Sequence, residues 1–438
     1  MIRAFWLLLF SWALWAAPPQ APVDRILERL DRLERENDSL RRELHELRTQ
    51  VVNLRTPENA TAEERLDVME RRVEEQAQAK VEASQRFPLK ISGMLVANLY
   101  KNSPAAAGVD HPTTAARVPG RSTAGLTFRQ SVIGLEYHGA QTLWGGHVKG
   151  SVFTDFFEGN IENTLYAPMR LRTATVEIDW GSRSLMVGQE KPLFSQRDPT
   201  SFSFIGVSPL TSAGNLWRWQ PQIRFEQRLA LGPQTQLRAQ AALLQTNEDS
   251  STGDVRIAQE RRRPGLEGRF EVAHKFDENR RIAIAPGFHV STTHALGRQL
   301  PSRVWSLDWF ANPWAMLELS GLFWSGENVH HFGALRQGLT LFPDGRLTTV
   351  KSKGGWAQAA VPFTNRVSLN LFGGIHDDRN RDLLPTAIGA NHTGGVNLMM
   401  RIAPNLLLSV EALQTRTRFL TPGPRKNNRY DLSVVYLF

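Results

Sequence analysis

The stretch Tyr430-Asp-Leu-Ser-Val-Val-Tyr-Leu-Phe438 decides the fold. Tyr430, Leu432, Val434, Tyr436 and Phe438 share one parity and are apolar or aromatic, while Asp431 and Ser433 occupy the other. That is a strand with a period of two residues. In water a free edge strand with a continuous apolar face invites aggregation. The same strand is at home as the closing strand of a barrel whose apolar face meets lipid.

The rest of the composition agrees. Mean hydropathy is −0.33. A helical membrane protein cannot be that polar, but a barrel can, because only every second residue meets lipid. Residues 1–17 read as a secretory signal, with Arg3 followed by an apolar run from Ala4 to Ala17. That run is shorter than the roughly 20 residues a membrane helix needs. Cysteine is absent, which excludes a disulfide framework, thiol chemistry and a lipidated N-terminal cysteine. The formal net charge is +9, and the basic excess lies after residue 87. A basic interior favours anions; loops facing lipopolysaccharide account for part of the same excess.

Residues 23–86 read as a helical coiled-coil stalk. Val23, Leu30, Asn37, Leu44 and Val51 fall at a, and Ile26, Leu33, Leu40, Leu47 and Leu54 fall at d. All but Asn37 are apolar, and a polar a residue sets register at a cost in stability. In a parallel pair Arg29 faces Glu34, Glu36 faces Arg41 and Glu43 faces Arg48, so the charges predict a parallel homo-oligomer held by Leu30, Leu33, Asn37, Leu40, Leu44 and Leu47.

From residue 87 to 438 the texture is that of an all-β transmembrane barrel. About sixteen antiparallel segments alternate in polarity. They include Leu89–Leu99, Ser122–Tyr137, Ser184–Lys191, Leu216–Leu229, Arg303–Phe310 and Arg429–Phe438. Short connections such as Gly181-Ser182-Arg183 and Pro404-Asn405 alternate with long ones such as 100–121, 192–215 and 325–354. Short periplasmic turns and long outer loops are the barrel rule, and the alternation predicts both ends of the barrel chain on the periplasmic side.

Two features predict a pore. In Leu216–Arg228, Trp217, Trp219, Ile223 and Phe225 share one face, and Arg218, Gln220, Gln222, Arg224, Glu226 and Arg228 share the other. With the aromatic face outward, three arginines line the lumen. The preceding loop, 192–215, is long and carries apolar residues beside Arg197. It packs on something, either by folding into the barrel or by shielding its own side chains outside. Arg238, Arg269 and Arg401 share the polar parity of their strands, together with Glu267, Glu271, Glu318 and Glu411.

These residues carry a resemblance. The last strand ending in Phe438 resembles those of bacterial outer-membrane porins. Gly188-Gln189, the long loop, Trp219-Gln-Pro-Gln-Ile-Arg224 and the preceding coiled coil resemble the DcaP-type porins. The matching motif is short, although the likeness covers the whole architecture. The resemblance implies a trimeric channel for small organic anions such as dicarboxylates, with loop 192–215 as its constriction. Pore and substrate contacts are then expected from Arg197, Arg218, Arg224, Arg228, Arg238, Arg269 and Arg401. Two other readings compete: a barrel-anchored tether whose stalk reaches peptidoglycan, and a sugar-specific porin. The second needs an aromatic track in the lumen, but only Phe372 and Trp324 leave the lipid-facing parity.

No catalytic constellation, metal, cofactor or nucleic-acid partner is expected. His330-His331 and His376-Asp377-Asp378 are read as outer-loop residues, and Gly373-Gly374 and Gly394-Gly395 as barrel bends. The expected partners are further copies of the chain, outer-membrane lipid and lipopolysaccharide, and small anions. Deleting residues 23–86 should leave a folded, conducting barrel, checked by gel mobility before and after heating and by bilayer conductance. A folded deletion variant without conductance contradicts this.

Overall fold

The computed structural model describes residues 89–157, 167–245, 264–335 and 337–438, with three short strand pieces between 251 and 260. The expected signal segment 1–17 and the expected stalk 23–86, including its seam, lie outside the described residues.

Sixteen strands close into one antiparallel barrel. They are β1 (Leu89–Asn102), β2 in two pieces (Thr123–Thr127 and Val132–Leu143), β3 (Gly146–Asp155), β4 (Arg170–Asp179), β5 (Arg183–Glu190) and β6 (Gln220–Ala230). Next come β7 (Thr235–Leu244), β8 (Gly265–Lys275), β9 (Arg281–Ala295), β10 (Arg298–Trp314) and β11 (Leu317–Glu327). The last five are β12 (Lys351–Pro362), β13 (Val367–Asp378), β14 (Ile388–Ala403), β15 (Leu406–Phe419) and β16 (Pro424–Leu437). Each strand pairs with the next in sequence, and β16 returns to β1 in register from Met94↔Leu437 to Asn102↔Arg429. Gly93 and Phe438 exchange both backbone hydrogen bonds, at 3.0 and 3.2 Å. The terminal aromatic is therefore part of the seam that closes the ladder.

The predicted alternation holds on the outer wall. Ile91, Leu95, Val187, Ile223, Phe225, Phe270, Trp305, Leu371, Val410 and Leu432 are all exposed there. Trp144, Leu231, Phe276, Trp314, Met316 and Phe363 stand exposed at the short-turn end, where an interfacial girdle belongs. Facing residues inside are polar and buried, such as Asn98, Gln240, Asn397, Ser409 and Ser433. Phe372 and Trp324 do point inward, as their parity requires, into a buried cluster with Phe194, Phe332 and Trp356.

Three expected segments change. The strand expected at Leu216–Leu229 starts at Gln220, and Trp217 is buried inside the barrel instead of facing lipid. The backbone N–H groups of Trp217 and Arg218 donate to Phe332 O from another loop, at 2.9 and 3.2 Å, so this stretch serves the interior. The segment expected at Ser122–Tyr137 breaks between its two pieces, where Gln130 turns inward to the long loop. The segment expected at Arg303–Phe310 is the middle of a longer hairpin. Its turn is only Leu296-Gly297, with φ of 50° and 71°. That is the left-handed pair a tight hairpin turn needs, with glycine at the second place. Not every loop-end connection is therefore long.

The outward parity predicts a depth-dependent penalty. Val410→Arg, near the middle of the apolar band, should lower stability by about 2–4 kcal/mol in equilibrium unfolding from lipid vesicles. Ser320→Arg, on the inner face, should cost far less.

Candidate functional site: the loop-lined lumen

The connection between β5 and β6, residues 191–219, folds into the barrel and runs along the inner wall in strand order. Leu193 N–H donates to Glu267 of β8 at 2.6 Å. Gln196 N–H and the Arg197 guanidinium donate to Asp308 of β10, and Arg197 also reaches Glu271 of β8 at 3.1 Å. Thr200 N–H donates to Gln358 of β12 at 2.6 Å, and its carbonyl accepts from Asn397 of β14 at 2.8 Å. Ser201 donates to Glu411 of β15 at 2.6 Å, and the Ser203 and Ser433 hydroxyls meet at 3.0 Å on β16. Gln130, at the break in β2, bonds Ser203 O and Ile205 N–H, both at 2.6 Å. Arg172 of β4 donates to Ile205 O at 2.7 Å, and Arg170 donates to Gly206 O. Those contacts carry the loop round the wall from β8 to β4.

The loop then returns across the other side. Gly214 O accepts from Trp324 Nε1 of β11 at 2.7 Å, and Ser212 O accepts from Asn391 of β14 at 3.0 Å. Close approach needs glycine here. A Cβ on Gly374 would lie 2.2 Å from Ala213 O, and one on Gly214 (φ +107°) would lie 2.2 Å from Gly355 O. Gly374 is therefore a landing point for the loop, where the sequence suggested a barrel bend. Leu210, Ala213 and Leu216 close the apolar cluster against Val304, Leu322, Trp356 and Leu413 of β10 to β15. This side is closed by the apolar cluster, while Lys149 of β3, Arg172 of β4, Arg224 of β6 and Arg238 of β7 stay partly exposed.

These charges fall into groups. On one side Asp155, fully buried, binds Arg170 and Arg172 at 2.6 and 2.9 Å, and Arg129 binds Asp110 at 2.6 Å. Both Arg170 and Arg172 lie over the Trp219 ring, 5.2 and 4.7 Å from its centroid. Three guanidinium groups thus share two carboxylates. On the other side Arg197 and Arg269 hold Glu271 and Asp308. Lys191 and Asp198 pair at the loop's root, where Asn215 also donates to Asp198 at 2.9 Å. Burial raises the Asp198 carboxyl, but Lys191 and the donors around it outweigh this and hold it below its usual range.

The seven expected pore arginines separate. Arg197 reaches the lumen on the loop, but paired with two carboxylates. Arg224 faces inward and donates to neutral acceptors, Lys191 O at 2.8 Å and Gln222 Oε1, with Glu190 and Glu267 near enough to act on it electrostatically. Arg228 pairs with Glu226 and Asp179 near the short-turn end, at 2.5 and 3.1 Å. Arg238 lies 3.6 Å from Glu226. Arg269 is buried, and so is a wall support, away from the aqueous surface. Arg218 lies off the strand and half-buried between two tryptophans. Arg401 is exposed at the short-turn mouth, donating to Pro404 O at 2.6 Å. Arg269 thus sits in the wall, Arg218 on the loop and Arg401 at the short-turn mouth, and the structure does not bring these three together.

Sequence reasoning missed Arg129, Arg170, Arg172, Asp155 and Asp308. The alternation Arg170-Leu-Arg172 at the start of β4 was the available signal. It also missed a buried chain of bonds: Ser291 Oγ to His289 Nε2 at 2.9 Å, and His289 Nδ1 to Glu267 at 3.0 Å. Glu267 anchors Leu193 as well, so this chain supports the loop's root. His376 and Asp378 lie at the outer end of β13 and bond each other at 2.7 Å, and His331 is buried in the loop between β11 and β12. Among the described residues no group of three or more His, Asp or Glu could hold a metal.

Asp308 is the acceptor that joins loop to wall. Asp308→Ala should cost about 3–5 kcal/mol in detergent unfolding, since it leaves buried Arg269 short of a partner. Adding Arg269→Met should recover part of that loss.

No family model matches the chain, and no curated protein matches it in sequence. Its structure is similar to that of the outer membrane channel DcaP of Acinetobacter baumannii, with TM-score 0.65 and 14% identity over 80% of this chain and 97% of that one. It is also similar to an anion-selective porin from Comamonas acidovorans (TM-score 0.55, 13% identity, 80% and 99%). A third likeness is to OprB of Pseudomonas putida (TM-score 0.53, 9% identity, 82% and 96%). At these identities the likeness is one of fold, and the chain has the transmembrane barrel fold of these outer-membrane proteins.

Proposed function

We propose that this protein is an outer-membrane diffusion channel for small, preferentially anionic solutes. The observation that carries the reading is the inward loop 191–219. A barrel serving only as an anchor has no need for a loop bonded round its inner wall. With the loop in place, Lys149, Arg172, Lys191, Arg197, Arg224 and Arg238 stay partly exposed. Most of these cations are paired, so the anion preference is a bias set by the surplus: two arginines, Arg170 and Arg172, share the one carboxylate of Asp155, and Arg224 spends its hydrogen bonds on neutral acceptors. A guanidinium pair beside a narrow passage lowers the cost of admitting a carboxylate. The names of the two neighbours, an outer membrane channel and an anion-selective porin, support the same reading. Assembly as a homotrimer with periplasmic stalks is part of the proposal, with the parallel heptad charges as its support.

Planar-bilayer recording tests it. Arg172→Glu with Arg224→Glu should move the reversal potential in a salt gradient toward cation selectivity. The shift should shrink at 1 M salt, where the Debye length is about 3 Å. Arg228→Glu should matter less, because its neighbours already neutralise it. A folded double variant with unchanged selectivity would remove these residues from the conduction path.

A further inference from the structure

The outer wall carries cations that the channel reading does not use. On adjacent strands β14, β15 and β16 the register sets His392 beside Arg416 and Arg416 beside Lys426. Their parity matches Val396, Val410 and Leu432, so all three point away from the lumen. They are exposed, and among the described residues none has a hydrogen bond or ion pair. Like charges directly opposite on neighbouring strands destabilise a sheet. The nearby outward acid, Asp377, is already held by Arg418 at 3.2 Å. Depth is fixed by the same strands. Below the cationic row comes an amide pair, Gln414 with Asn428, then Tyr430, then aliphatic residues. That sequence of layers is headgroup, interface and hydrocarbon.

A groove begins beside this patch. Lys353, Asp377 and His392 line its loop end, and Phe323, Ala357, Gly373 and Ile375 line its course toward the middle of the wall. The outward glycine at 373 keeps it open: a Cβ there would meet its nearest neighbour at 3.5 Å, in ordinary contact. Cations at headgroup depth with an apolar groove running down from their flank at Lys353 and His392 match one kind of molecule.

We propose that the outer end of β12 to β16 is a binding site for a phosphorylated glycolipid of the outer leaflet. Its phosphate monoester bridges Arg416 and Lys426, with Lys353 and His392 at the flank, and one acyl chain lies in the groove between Phe323 and Ile375. An arginine fork binds phosphate bidentately, and the shared anion relieves the repulsion across the Arg416–Lys426 pair. Free phosphate has no use for the groove, so the occupant is the lipid. The inference rests on outer-membrane placement but not on the conduction path.

The test uses the full-length protein in detergent and native mass spectrometry with three probes: bis-phosphorylated lipid A, the same lipid after phosphatase treatment, and inorganic phosphate. Wild type should retain the phosphorylated lipid, and the dephosphorylated form should bind at least about tenfold more weakly, as expected for lost charge-assisted bonds. Raising salt should release the lipid. Arg416→Ala with Lys426→Ala should reduce retention to the dephosphorylated level, and Gly373→Leu should weaken retention by filling the groove. Conductance and selectivity of both variants should stay those of wild type, which separates this idea from the pore assignment. Should the double variant fail to fold, the phosphatase and salt comparisons on wild type decide the matter. Equal binding of both lipids overturns the proposal, as does full competition by millimolar phosphate. Loss of oligomer with unchanged lipid retention would assign the face to contacts between copies and also overturn it.

Discussion

The structure depends on one constraint: in hydrocarbon a backbone N–H or C=O without a partner costs several kcal/mol, so a sheet that crosses a membrane must have no edge. Here the requirement is met where β16 returns to β1, with Phe438 and Gly93 exchanging the last two bonds. Closure explains the other regularities. Each strand must alternate, because one face meets lipid and the other meets water or the loop. Turns can be short because each joins two antiparallel neighbours.

Closure also creates a second problem, since a ring of sixteen strands encloses more space than its own side chains fill. The chain fills it with the connection between β5 and β6. Nearly every bond along that loop's outward course is made by a buried polar group of the wall: Glu267, Asp308, Gln358, Asn397, Glu411, Ser433 and Gln130. Buried polar groups need partners, so wall and loop satisfy each other. This mutual need, together with the apolar cluster on the return path, gives the lumen its asymmetry. The cations that remain in contact with water are those the loop leaves uncovered.

The same arithmetic of pairing limits the electrostatics. An arginine on the inward parity is not automatically a binding group. Arg269 is a strut between Glu271 and Asp308, whereas Arg224 has only neutral acceptors. A buried pair stabilises little in net terms, although breaking it is costly. On the proposed channel reading, selectivity follows the small surplus of cations and not their number.

Much was legible in the sequence because its physical cause is local. The period-two alternation in Tyr430–Phe438 follows from strand geometry alone, so the barrel, its outward belt and most strand positions could be read without contacts. The inward parity of Phe372 and Trp324 was legible for the same reason. What remained hidden depends on partners far along the chain. Trp217 alternates like a lipid-facing residue, yet it lies inside, because Phe332, more than a hundred residues away, holds its backbone. The break at Gln130 exists because Ser203 and Ile205 need its amide. Which arginines are neutralised is decided by Asp155 and Asp308, whose distances from them no spacing rule records. Strand and face are properties of neighbouring residues; burial, pairing and the course of the loop are properties of the closed barrel.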